Sequence, residues 1–213
     1  MNTTVRLTHG DGCRSGRGRA AQGETSAAQQ HIDESIELSR EIGDKWELAN
    51  SLNVQGLFLM GIGDFEAARA PLEQSLATFV GIEDRQGQSA AHLGLGLWGL
   101  AKAPDSPKTR SHIQQSLQIR RELDEKHMIA TSLVASAGMA FHSGDAGRAA
   151  QILGAVAALL RQLRATLEPE VQSLETETRE AAAAKLGEDA FQQAWAAGES
   201  WSVDEAVEAA LAD

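Results

Sequence analysis

Apolar positions along this chain recur at helical rather than strand spacing. Leu48, Leu52, Gly56 and Leu59 lie on one face, and Ile129, Leu133, Ala137 and Phe141 lie on another. The segments also repeat. Ile32-Asp33-Glu34-Ser35-Ile36 returns as Leu72-Glu73-Gln74-Ser75-Leu76 and again as Ile113-Gln114-Gln115-Ser116-Leu117, with serines 40 and 41 residues apart. A second signal interleaves: Gly63-Asp64 returns as Gly144-Asp145, and a proline-containing loop at Ala103-Pro104-Asp105 stands where the middle copy belongs. Each unit therefore reads as helix A, a Gly-Asp turn, helix B, and a second turn ending in an acidic residue. Asp64 and Asp145 are suited to cap the helix that follows, because a carboxylate accepts from its first free amides. One amphipathic hairpin cannot bury its own face, so the hairpins must stack. The pattern predicts an all-α fold, an α-solenoid of stacked helical hairpins with a period of about 40.

The ends depart from the pattern. Residues 25–44 read as a helix B with no helix A before it, with Ser26 as its cap. Residues 1–24 hold five Gly and four Arg without apolar periodicity and are expected to be disordered. The array is expected over 25–164 and a set of capping helices over 165–213. In that cap Pro169 opens a helix, Gly187 stops it, a short helix carries Phe191 and Trp195 to Gly198, and Ser202 with Glu205 forms a capping box for the last helix. The start of the array should leave Ile32, Ile36 and Leu38 uncovered on one side, an expectation of self-association through the N-terminal helix.

Composition supports helices. Hydrophobic residues make up 42% of the 213, but aromatics only 4%, so the core material is chiefly Ala and Leu, better helix formers than strand formers. The formal charge of −11 is concentrated at the C-terminus: residues 165–213 carry twelve acids against Arg179 and Lys185, a net of −10. Such a surface repels phosphate backbones, so direct nucleic-acid binding is not expected. The single Cys13, the lack of a long apolar run and the lack of a signal-type leader point to a cytoplasmic protein without a membrane segment.

Gly56 and Ala68 lie 12 residues apart across a hairpin, as do Gly138 and Ala150, the spacing of small residues in the tetratricopeptide repeat. Two longer stretches extend the likeness. GDKWELANSLNVQGL with GDFEAARAPLEQSL, and RAAQILGAVAAL with LGEDAFQQAWAAGESWSVDEAVEAAL, resemble the C-terminal tetratricopeptide-like arrays of bacterial regulatory ATPases of the LuxR/MalT-like and AfsR-like type. The resemblance covers about residues 25–213. It implies a sensor or partner-binding array used in signal transduction and transcription regulation. Relatives carry an upstream nucleotide-binding module, and this sequence has no Gly-Lys pair from which a phosphate loop could be built. Pro71 is a further departure, placed inside a helix B where a kink is expected.

Candidate chemistry is sparse. Gly94, Gly96 and Gly99 match a dinucleotide fingerprint, but Gly96 is in repeat register with Gly56 and reads as a close-packing position. His9, Asp11 and Cys13 alternate without a fourth ligand or a rigid frame, and no metal or other cofactor is expected there. No catalytic constellation emerges, so the chain reads as a non-enzyme that binds another protein or peptide in the concave groove of its A helices. Asn50, Asn53, Gln55, Gln88, His92, Thr131 and Ser132 are the expected lining. The competing reading is a small-ligand sensor or an enzyme using that groove as a pocket.

Overall fold

The computed structural model describes residues 17–212. They form ten helices and, among the described residues, no strand. The helices are α1 (Arg17–Ile42), α2 (Lys45–Gly61), α3 (Phe65–Gly81), α4 (Arg85–Lys102), α5 (Pro107–Glu122), α6 (Lys126–His142), α7 (Ala146–Leu163), α8 (Pro169–Leu186), α9 (Glu188–Glu199) and α10 (Val203–Leu211). α1 begins at Arg17, eight residues before the expected start, so Ser26 is a helix-interior residue rather than a cap. Residues 1–16, with His9, Asp11 and Cys13, lie outside the described residues.

The caps predicted at Asp64, Asp145 and Ser202 form. Asp64 accepts from the Ala67 amide at 3.1 Å, and Asp145 from that of Arg148 at 2.8 Å. Asp44 and Asp84 serve α2 and α4 in the same way, and Ser202 and Glu205 make the reciprocal capping box of α10. Glu125 stands at the corresponding place before α6 but makes no capping bond. The turns from B to A helices carry a left-handed residue at Gly43, then at Glu83 (φ 59°) and Asp124 (φ 54°). Helix α3 runs unbroken through Pro71.

Helices α2 and α3, α4 and α5, and α6 and α7 pair as hairpins, with α1 alone in front of α2. The A helices α2, α4, α6 and α8 touch one another in succession, whereas the B helices have no comparable contact, so the A row lies on the inside of the curve. The repeated serines connect the two rows. Ser35 shares a hydrogen bond with Ser51 (2.7 Å) and Ser116 with Ser132 (3.0 Å). Ala91 occupies the corresponding place on α4 and offers no hydroxyl, and Ser75 donates instead to the Ala49 carbonyl at 2.7 Å.

Small residues set the helix spacing. A Cβ on Gly56 would lie 2.4 Å from Leu72 Cγ, on Gly96 2.7 Å from Ile113 Cγ1, and on Gly99 2.3 Å from Thr109 Oγ1, so the fingerprint-like glycines are packing positions. Gly138 faces Leu100 of α4 and Leu174 of α8.

Every residue of α6 from Ile129 to Ala140 is buried. Helices α4, α5, α7, α8 and α10 surround it. α10 folds back over α6 between α5 and α7: Gln114 donates to the Leu211 carbonyl, and Arg148 to the carbonyls of Ala209 and Ala212. α9 crosses α7 where a Cβ on Gly154 would lie 2.2 Å from the Trp195 carbonyl oxygen, and one on Gly198 only 1.8 Å from that of Gln151. Both obstacles are backbone, so Gly198→Ala is expected to cost about 3 kcal/mol or more, read from urea unfolding. At Glu83 the strain is conformational and the side chain is exposed. Glu83→Gly should therefore raise stability by roughly 0.5–1 kcal/mol, as an unchanged urea slope with a higher midpoint would show.

Candidate functional site

The expected groove residues do not share one surface. Asn50 is half-buried on α2, near the exposed Val54. Asn53 points toward α4, where its Oδ1 lies near Gly94 and is buried without a hydrogen-bond donor. Gln55 donates to Asp33 of α1 at 3.1 Å. Gln88 turns to α3 and donates to the Phe79 carbonyl at 3.3 Å, and His92 turns to α5. Thr131 and Ser132 are buried. The reason for these last corrections is the enclosure of α6: α8 packs against it and closes the A-helix groove there, and Ser132 turns to Ser116 and Arg120 of α5. What stays open on the inside is the α2 stretch with Asn50 and Val54.

Ser132 belongs to a polar node inside the core. Arg120 of α5 is almost wholly buried and donates to the Met128 carbonyl at 2.6 Å, to Ser132 Oγ at 2.9 Å and to Ser89 Oγ at 3.4 Å. Burial lowers its pKa to about 10, against the opposing pull of Glu125 and Glu168, so it stays charged at neutral pH. This guanidinium ties α5 to both α4 and α6. Its role is positional, and the residue types at Ser89 and Ser132 follow from it.

A second cluster lies between α3, α4 and α5. His92 Nδ1 and His112 Nδ1 are 2.9 Å apart, with ring centroids 5.2 Å apart, so one ring donates and the other accepts. Burial, His112 and Arg85, in that order, lower the His92 pKa to about 4. His112 is also lowered, chiefly by burial and also by Lys108, while Glu73 acts in the opposite sense. Nearby, Arg69 lies over the Trp98 ring and pairs with Glu73, and Trp98 Nε1 donates to the Phe65 carbonyl. The repeat offsets relate His92 to Leu52 and Leu133. His92 thus stands at a place that the neighbouring hairpins fill with leucine. The sequence reading placed His92 in the groove; two histidines 20 residues apart, one on each helix of a hairpin, were the available signal for the pair.

Cavities lie elsewhere. A small pocket of about 40 Å³, room for a water or so, is lined by Leu133, Leu159, Trp201 and Val203 among others, and an open cleft of about 480 Å³ runs past Arg148, Gln151 and Trp201. No described helix is long and apolar enough to cross a membrane. The fold and these sites define an all-helical array of stacked hairpins with a helical cap. No family model, curated protein or solved structure matches the chain.

The His pair predicts an acid limb of stability. Between the unfolded value of 6.5 and the folded value of about 4 the unfolded chain binds more protons at His92, so stability is full above this window and falls as pH drops through it. Urea midpoints at pH 7 and pH 5 should differ less in His92→Leu than in the unmodified protein, because leucine removes the proton uptake and matches the residue at the related positions.

Proposed function

We propose that this chain is a non-catalytic regulatory interaction module, a tetratricopeptide-like array that binds another protein or peptide in the cytoplasm. The observation that carries the reading is the inequality of the two ends. At the C-terminal end α8, α9 and α10 cover the last hairpin with an acidic outer surface. At the other end α1 packs on α2 and, among the described residues, on no further helix to a comparable extent, and Leu38 (57% exposed), Ile42 (66%), Trp46 (52%) and Val54 (44%) present large apolar side chains to solvent. Solenoid ends need a polar outer face to stay single. Ile36 is buried and Ile32 half-buried against the array, so the uncovered surface is smaller than the sequence suggested and differently placed.

The resemblance to the arrays of bacterial LuxR/MalT-like and AfsR-like regulators supports the same reading, with signal transduction and transcription regulation as the setting. The partner is a helix that packs on the exposed apolar residues of α1, either from a second copy or from another protein. An apolar side chain gains about 1.5–3 kcal/mol on full burial, so covering Leu38 and Ile42 together gives a useful drive for association. The groove reading reduces to Asn50, Val54 and the neighbouring face of α2.

Sedimentation at high micromolar concentration tests this. The unmodified protein is expected to show reversible self-association, and Leu38→Glu with Ile42→Glu should give a monomer of unchanged helicity. A strictly monomeric parent that also forms no protein adduct from a photo-crosslinker at Ile42 in cells would reject the interaction reading.

A further inference from the structure

We infer that the outer groove between α3 and α5, floored by α4, is a docking site for a short acidic helix of a partner protein. The chain itself supplies the precedent. One hairpin later the corresponding groove, between α5 and α7 over α6, is filled by α10. α10 carries Asp204, Glu205 and Glu208 and no basic residue, and it buries the small apolar face of Ala206, Val207 and Ala210. Between α3 and α5 no described helix packs over α4 to a comparable extent.

The repeat offsets match the two grooves residue by residue. Gln114 of α5, Leu133 of α6 and Arg148 of α7 surround α10, and Glu73, His92 and Lys108 stand at the same places one unit earlier. Arg148 donates to the carbonyls of Ala209 and Ala212 at the end of α10. Lys108, 40 residues before Arg148, is a cation available for the same end of another helix. The charges of Lys108 and Glu73 both reach His112, which places the three together. At the other end of the groove Arg85, whose charge reaches His92, is held by an exposed pair with Glu122 that costs little to exchange. Val80, 54% exposed and on the same face of α3 as Glu73, gives the groove an apolar contact.

Charge selects the occupant. The chain carries a net −11, yet residues 85–122 hold six basic residues against Asp105 and Glu122, a net of +4. Arg85 and Lys108 stand in the first turns of α4 and α5, where the helix dipole favours acids, so neither placement helps its own helix. An acidic helix answers both: its first-turn carboxylates meet Arg85 and its last carbonyls meet Lys108. Burial keeps His92 and His112 neutral at pH 7, so this floor meets water while the groove is empty. The site does not rest on the α1 surface proposed above.

A fluorescein-labelled synthetic peptide of residues 200–213, which contains the α10 sequence, is the probe. It is titrated into the full chain at low salt and followed by anisotropy. Saturable binding is expected, weakened by added salt. Lys108→Glu combined with Arg85→Gln should weaken it about tenfold or more, and Val80→Glu should act in the same direction; circular dichroism reports whether each variant folds. A peptide that displaces α10 from its own seat would bind the parent and the Lys108 variant equally, and that result would overturn the inference. So would equal binding by a scrambled peptide of the same composition, which needs charge but no helix, or no saturation below millimolar peptide. Leu38 and Ile42 are intact in these variants, so sedimentation reads the α1 surface separately.

Discussion

The structure depends on the enclosure of α6. Twelve successive residues, Ile129 to Ala140, are buried, so this helix has no solvent face and must be surrounded. α4 and α5 lie to one side, α7 and α8 to the other, and α10 closes the outside. Ile129, Leu133, Val134 and Met139 each contribute about 1.5–3 kcal/mol on burial. The C-terminal helices are therefore part of the core as much as a cap: Val171 of α8 and Val207 of α10 belong to the same apolar cluster as Leu133.

Enclosing a helix that carries hydroxyl groups obliges the protein to pair them. Ser136 donates to the Ser132 carbonyl and Thr131 to that of His127, which satisfies them within the helix. Ser132 is engaged from outside, by Ser116 and Arg120. A buried guanidinium is costly unless its hydrogen bonds are made, and the Met128 carbonyl and two serine hydroxyls make them. Glu125 shows the other side of this arrangement. Its longer side chain replaces the aspartate cap of α2 and α4, acts on Arg120 through its charge, and leaves Oε2 buried without a donor.

The same architecture treats equivalent places differently. Over α6 the gap between α5 and α7 is filled by α10, and the residue beneath is Leu133. One hairpin earlier the related position is His92, paired with His112 and flanked by Arg69, Glu73 and Trp98. An apolar layer needs a covering helix, whereas a polar one can meet water.

The sequence by itself determined the helices, their order and most of their ends, because caps, turns and apolar period act within a few residues of one another. Asp64, Asp145, Gly187 and the Ser202–Glu205 box were legible for that reason. The start of α1 was missed because residues 17–24 carry glycine and arginine without an apolar period. A signal for the buried helix was also present: Met128 to Phe141 contains no charged residue, though only one face of it was read as apolar. Tertiary structure decided the rest. Thr131 lost its place in a groove because α6 is enclosed, Ser132 because it turns to Ser116 and Arg120 of α5, and Gly154 gained its importance from a chain segment some forty residues later. Gln88 and His92 turned toward B helices because rotation of an A helix about its axis is fixed by packing on three neighbours at once. Such contacts join residues far apart in the chain, and periodicity, which counts only neighbours along it, does not carry them.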